Sequence, residues 1–297
     1  ISKEDANEKA TVESVANTIC ALLPLYHLLA WSRENDAIDM AKELHFAVIQ
    51  SELLWENPEQ NRNNFSKKIA AISSDVDVII LPEMFTTGFT MTPENIDKGE
   101  GLNTVKWMQK KAMEKNAALI GSIVFQEDGL YYNRLWFVEP DGALYSYDKR
   151  HTFTLAGEDK VYARGEKNVL IEYKGFRLCP LICYDLRFPI WARNVVNYDV
   201  LLYVANWPKP RITAWDTLLK ARAIENMAYC IGVNRIGKDN TGHEYPGHSA
   251  VYDCLGERIS YSENEETIYA TLTKEHLSTT REKLKFLDDR DEFTLLG

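Results

Sequence analysis

Runs of apolar, largely β-branched residues recur along this chain with helix-like text between them, and that alternation limits the fold more than any other feature. "HFAVIQSE" (45–52), "VDVIILPE" (76–83), "FRLCPLIC" (176–183), "DVLLYVAN" (199–206) and "AYCIGVNRIG" (228–237) are nearly continuous in hydrophobicity. A strand that alternates apolar and polar residues has one dry face, whereas a continuous run has two, so these strands predict sheets covered by further layers. Helical spacing is predicted over "NPEQNRNNFSKKIAAISS" (57–74), starting after Asn57, and over "TVKWMQKKAMEKN" (104–116), "LRFPIWARNVVN" (186–197) and "AWDTLLKARAIENM" (214–227). Between these groups, "AALIGSIVF" and "YYNRLWFVEP" read as strands bounded by Asp-Gly pairs at 128–129 and 141–142, so the middle of the chain is expected to be antiparallel. The class is α/β.

No repeat, low-complexity tract or long linker divides residues 40–297, which are read as one domain. Residues 1–39 differ. Their apolar stretch "TICALLPLYHLLAW" (18–31) is too short to span a membrane, holds Pro24 and His27, and follows "ISKEDANEK". They are expected to form an extension of unknown role, either a short helix pair or a poorly ordered segment, with Met40 as a plausible natural start.

The 34 Lys and Arg against 44 Asp and Glu give a net charge of -10, which argues against nucleic acid or an anionic membrane as partner. Cys20, Cys179, Cys183, Cys230 and Cys254 are odd in number and sit mostly in strand text. That pattern fits free thiols in a reducing, cytoplasmic setting better than a disulfide framework. No second Cys/His pair completes a metal site beside Cys179 and Cys183, and no cofactor is expected.

Three residues are candidates for chemistry, each with an ordinary alternative. Glu83 closes a strand of Val, Ile and Leu, where α/β sheets place their sites, or else it is a solvated loop acid. Lys149 in "SYDKRHTF" reads by itself as an exposed cation. Cys183 in "LCPLICYDLRFP" reads by itself as a buried strand thiol. Taken together they read differently: adjacent strands could bring Glu83 and Cys183 together, with the carboxylate as base and Lys149 as the cation that favours thiolate. A Cys-His arrangement would instead draw on His151, His243 or His248, the last two lying in the turn-rich "HEYPGHS".

"LPEMF", "YDKRHTF" and "LICYDLRFP", in this order, resemble the three signature segments of the nitrilase superfamily of carbon-nitrogen hydrolases. The resemblance runs from Lys42 to the end and includes "ANWPKPR", "LLKARAIENMAYCIGVNRIG" and "LDDRDEF". Within the superfamily, "YDKRHTF" and "ANWP" resemble the ω-amidase branch, bacterial 2-oxoglutaramate amidases in particular.

The resemblance implies a four-layer α-β-β-α sandwich that assembles as a homodimer or larger homo-oligomer. It implies Glu83 as general base, Lys149 as catalytic lysine and Cys183 as nucleophile, with a second glutamate at Glu158 in "AGEDK" or, failing that, Glu166. The Tyr184 backbone N–H would join Lys149 at the oxyanion. Phe85, Tyr184, Arg187, Trp207 and Arg211 are the substrate-pocket candidates. Arg187, expected on the first turn of a helix after Cys183, could meet a substrate carboxylate or pair with Asp185. The expected activity is hydrolysis of the terminal amide of a short dicarboxylic acid monoamide, 2-oxoglutaramate-like, through a Cys thioester. The same residues would suit an N-carbamoyl compound or a nitrile, and a non-catalytic interaction protein of the same fold is the alternative from another class.

Overall fold

Asn57 and Pro58 show how local sequence sets the first helix: the Asn57 side chain accepts from the Gln60 N–H at 3.2 Å, and Pro58, which lacks a donor, takes the first helical position. The computed structural model describes residues 42–295. Cys20 and the extension expected over 1–39 lie outside the described residues.

In chain order the elements are β1 (Glu43–Gln50), α1 (Pro58–Ala71), β2 (Val78–Ile80), α2 (Glu100–Lys115), β3 (Ala118–Glu127), β4 (Leu130–Val138) and β5 (Leu144–Asp148). They continue with β6 (Ile171–Tyr173), β7 (Phe176–Ile182), β8 (Val200–Ala205), α3 (Ile212–Asn226), β9 (Tyr229–Asn234), β10 (Ile236–Lys238) and β11 (Glu244–Pro246). The last are β12 (Ser249–Tyr252), β13 (Arg258–Ser262), β14 (Glu266–Thr273) and α4 (Lys274–Leu284). Among the described residues these form two six-stranded sheets, ordered β14-β1-β2-β3-β4-β5 and β13-β12-β9-β8-β7-β6, and a β10-β11 ribbon.

The period of two along each strand separates the layers. Phe46 and Val48 of β1, with Val78 and Ile80 of β2, join the core shared with the second sheet. Ala47, Ile49 and Ile79 point the other way, onto Phe65 and Ile69 of α1 and Val105 and Met108 of α2. On the far side, α3 packs Trp215, Leu219 and Ala223 onto the second sheet. The expected four-layer α-β-β-α sandwich is therefore the one observed. The central strands β1, β2 and β3 are parallel, as are β7, β8 and β9, which is why their text is continuous rather than alternating. The Asp-Gly hairpins join β3 to β4 and β4 to β5 in antiparallel register, as expected.

Two expectations are corrected. No α-helix forms over 186–197; Cys183–Arg187 make a single 3₁₀ turn instead. Phe188 is held at φ −113° and ψ 88° by the following Pro189, whose ring disfavours helical geometry in the residue before it. The second concerns Glu83 and Cys183, which follow strands of different sheets, β2 and β7, and meet across the sandwich rather than along one sheet. No helix among the described residues is long and apolar enough to cross a membrane.

The second sheet approaches α3 closely at Gly232 of β9, where a Cβ would stand 2.3 Å from Leu219 Cδ1 and 2.7 Å from Trp215 Cζ2. Gly232→Ala should cost about 1–3 kcal/mol by overpacking. The measurement is the urea unfolding midpoint, and an unchanged midpoint would show that α3 yields freely.

Candidate active site

Glu83, Lys149 and Cys183 each sit just beyond the end of a strand, and the backbone there is bent sharply. Met84, next to Glu83, has φ 44°, and Cys183 itself has φ 44°. For residues with a Cβ this left-handed geometry costs of order 1–3 kcal/mol and persists only where surrounding contacts impose it. At Met84 one such contact is its N–H donating to Ser122 Oγ at 2.9 Å. At Cys183 the Asp185 carboxylate takes the Ile182 N–H at 3.0 Å and closes the turn.

Lys149 is the centre of the site. Its ammonium, 1% exposed, lies 2.9 Å from Glu83 Oε1, 3.1 Å from Glu158 Oε1 and 2.9 Å from Glu158 Oε2, and both carboxylates are fully buried. Asn133 Nδ2, from β4, donates to Glu83 Oε1 at 2.8 Å and to Glu158 Oε1 at 3.3 Å. Glu83 Oε2 accepts the Asn206 N–H at 2.7 Å, and Glu158 Oε2 accepts the Phe153 N–H. Every carboxylate oxygen therefore has a donor, which a buried charge requires. Glu166 is exposed, so the glutamate beside the lysine is Glu158.

Burial by itself would lower the Lys149 pKa, but the charges of Glu158 and Glu83 outweigh it and raise it, so the amine stays an ammonium. Burial raises Glu158, with Lys149 opposing and Glu83 adding to the rise. Burial also pushes the Cys183 thiol well above its ordinary range; the Glu83 charge adds to this and Lys149 opposes it. Cys179, four residues earlier on β7, is pushed up to about 12 by burial. Cys183 differs from it in opening onto a pocket.

That pocket, about 300 Å³, has Lys149, Cys183 and Asn206 in its lining, together with the apolar Phe89, Met91, Phe153 and Leu155 and with Trp207, Pro208 and Arg211. Tyr184, Arg187, Trp207 and Arg211 fall in the lining, as expected. Phe85 does not: it is fully buried against Phe65 and Trp107, with ring centroids at 5.5 Å and 5.8 Å, and Phe89 takes the place expected of it. The Arg187 guanidinium stacks on Trp207 at 4.9 Å and that of Arg211 on Phe153 at 5.1 Å. Neither has a carboxylate within ion-pair distance among the described residues. Asp185, the alternative partner for Arg187, accepts instead from Tyr147 at 2.7 Å and from the His151 N–H and ring Nδ1 at 2.9 Å and 2.8 Å.

The other histidines are engaged elsewhere. His248 pairs with Asp216 at 3.0 Å, and His243, on the pocket rim, meets Thr241 Oγ1 at 2.6 Å. Around Cys183 Sγ, the backbone oxygen of Asn206 lies at 4.0 Å. Asn133, Asn206, Phe89 and Phe153 were not singled out as site residues from the sequence. Asn133, a lone amide inside the strand text "YYNRLWFVEP", carried a usable signal because a buried polar residue in a strand needs a partner.

This architecture is shared with solved proteins of the CN-hydrolase superfamily. XC1258 of Xanthomonas campestris, solved with an arsenic adduct in its active site, superposes with a TM-score of 0.83 at 37% identity, covering 86% of this chain and 100% of that one. The chain belongs to the carbon-nitrogen hydrolase family, whose domain is matched over residues 45–282. It is 42% identical over 254 residues to omega-amidase YafV of Escherichia coli strain K12, covering 85% of this chain and 98% of that protein. It is 30% identical over 251 residues to 2-oxoglutaramate amidase of Bacillus subtilis, covering 82% and 96%.

A thiol held above its ordinary range reacts slowly with electrophiles that need thiolate. Cys183 should therefore be alkylated by iodoacetamide more slowly at pH 7 than a free cysteine, with a rate still climbing past pH 9. A plateau below pH 8, read by mass spectrometry of the modified peptide, would contradict the assigned burial effect.

Proposed function

We propose that this carbon-nitrogen hydrolase is an ω-amidase, releasing ammonia from the terminal amide of short dicarboxylic acid monoamides such as 2-oxoglutaramate. The observation that carries the reading is Arg187, whose guanidinium lies in the pocket four residues beyond Cys183 and has no acid partner among the described residues. A planar guanidinium suits a carboxylate, and Arg211 adds a second positive charge to the same pocket. The names of the Escherichia coli and Bacillus subtilis relatives support the same substrate class.

In this reading Glu83 takes the Cys183 proton as sulfur attacks the amide carbon. The resulting oxyanion is held by the Lys149 ammonium and the Tyr184 N–H. Glu83 then gives its proton to the leaving nitrogen, ammonia departs, and a thioester to Cys183 remains. Water, losing a proton to Glu83, breaks the thioester and frees the acid and the thiol. Glu158 holds Lys149 in place. Because the resting thiol is protonated, proton transfer accompanies attack instead of preceding it.

The catalytic domain in this reading is 40–297, of which residues from Lys42 form one compact unit. The free thiols at Cys179, Cys183, Cys230 and Cys254 support a reducing, cytoplasmic setting. Exposed Ile224 of α3 lies against Gly256, next to the exposed Leu255, and this apolar pair supports a homo-oligomer that covers it.

Ammonia release from 2-oxoglutaramate and succinamate, set beside a nitrile and an N-carbamoyl amino acid, tests the substrate class; silence on both ω-amides would sink it. Cys183→Ala should leave at most a trace of activity, and Glu83→Gln should lower kcat by about 10²–10⁴-fold. Arg187→Met should raise KM for succinamate by about 10- to 100-fold, the worth of a hydrogen bond to a charged group, while a neutral amide such as butyramide is little affected.

A further inference from the structure

The buried site holds two carboxylates and one ammonium, an imbalance of one negative charge. Among the described residues no other Lys or Arg pairs with Glu83 or Glu158. What stands opposite Lys149 is the uncharged amide of Asn133. Lys149 Nζ lies 2.9 Å from Glu83 Oε1 and 3.1 Å from Glu158 Oε1, and Asn133 Nδ2 lies 2.8 Å and 3.3 Å from the same two oxygens. The four groups form a closed ring in which donors and acceptors alternate.

We propose that Asn133 is a positioning residue for the reaction: by giving one amide hydrogen to each carboxylate across from Lys149, it lets Glu83 and Glu158 remain ionised side by side.

Three observations support this. The amide orientation is fixed, because rotating it would put Asn133 Oδ1, which is buried and has no protein donor, against two carboxylate oxygens. The residue itself is anchored, since its backbone oxygen accepts the Lys149 N–H at 3.0 Å and so ties β4 to the segment that carries the ammonium. And Asn133 is absent from the pocket lining, so it acts on substrate only through the ring.

An amide at this corner does something that neither a cation nor an apolar side chain would do. Two buried carboxylates sharing one cation tend to take up a proton, and when that proton sits on Glu83 the base has no free carboxylate with which to take the thiol's. A second cation would prevent that uptake but would also cancel the negative charge that makes the pair a base. The neutral donor satisfies both oxygens and leaves the charge in place. The remaining groups around the ring do not compete for this role. Cys183 lies near enough to feel the Glu83 charge, the nearby hydroxyls of Tyr245 and Tyr162 are taken by Asp239 and the Thr90 backbone oxygen, and Asn206 serves the other oxygen of Glu83 through its N–H.

The inference rests on the proposed roles of Glu83, Lys149 and Cys183, and one set of measurements separates the two. kcat and KM for succinamate are measured from pH 5 to 10 for the native enzyme, Cys183→Ala, Asn133→Ala and the isosteric Asn133→Asp, with thermal melting of each. Both Asn133 variants should keep a cooperative melt and a KM at their optimum within a few-fold of the native value. Their kcat should fall, and the acid limb of kcat/KM should move up by about one to two pH units in Asn133→Ala, the equivalent of one lost hydrogen bond to a charged group, and further in Asn133→Asp, which sets a third carboxylate against the other two. Part of the lost rate should return at alkaline pH, which a merely structural role would not produce. An acid limb superimposable on the native one overturns the proposal, as does loss of the folded state in both variants, which would make Asn133 a structural residue only. Full activity in Cys183→Ala would instead overturn the triad itself.

Discussion

The contact on which the site depends is the Lys149 ammonium held between Glu83 and Glu158. Taking three charges out of water is expensive, and the attraction between them compensates only when the geometry is close and every remaining lone pair is met. Here Asn133, Asn206 and the Phe153 N–H meet them. The carboxylates come from the turn after β2 and from the Glu158–Lys160 turn, and the ammonium from the end of β5, so one cluster fastens three loops of the first sheet. Removing one member of such a cluster leaves an unpaired buried charge, worth about 3–5 kcal/mol. Much of what keeps the pocket floor in shape is therefore also what would do the chemistry.

The sandwich supplies what the cluster lacks, a nucleophile. β7 of the second sheet delivers Cys183 opposite Glu83, and β8 delivers Asn206, whose N–H reaches a Glu83 oxygen and whose backbone oxygen lies against the thiol. The left-handed turn at Cys183 has a clear use in this setting. A strand continuing in extended form would send its side chain into one of the two cores, whereas the turn, closed by Asp185, ends the strand with sulfur at the pocket floor. Arg187 ends the same 3₁₀ turn, so the residue proposed to take the substrate carboxylate is fixed relative to the residue proposed to attack its amide.

Legibility followed the physics of each signal. Central strands and α1, α2 and α3 were readable because continuous apolar runs and 3.6-residue spacing are local properties. The strands β6, β11, β12, β13 and β14 and the helix α4 went unassigned, and β10 was read as part of β9, since these segments are brief or mixed in polarity and owe their pairing to neighbours already in place. The helix expected over 186–197 had the right periodicity but failed on one residue, Pro189, and on an acid, Asp185, that serves the turn before it. Phe85 was a pocket candidate as an aromatic of the kind that walls small-molecule sites, yet beyond the bend at Met84 it packs in the outer core beside Phe65.

By itself the sequence determined the layered α/β class, the three segments that hold Glu83, Lys149 and Cys183, and the family, because these depend on periodicity and on order along the chain. It could not decide which sheet each segment belongs to, or that Glu83 and Cys183 meet across the sandwich. It also could not show that Glu158 rather than Glu166 closes on the lysine, or that a neutral amide from β4 stands between two acids. Those are matters of a few ångströms between residues as far apart as 123 positions, as with Glu83 and Asn206. Only packing two sheets face to face fixes distances of that kind, since the balance between desolvating a charge and pairing it does not exist until the site is closed to water.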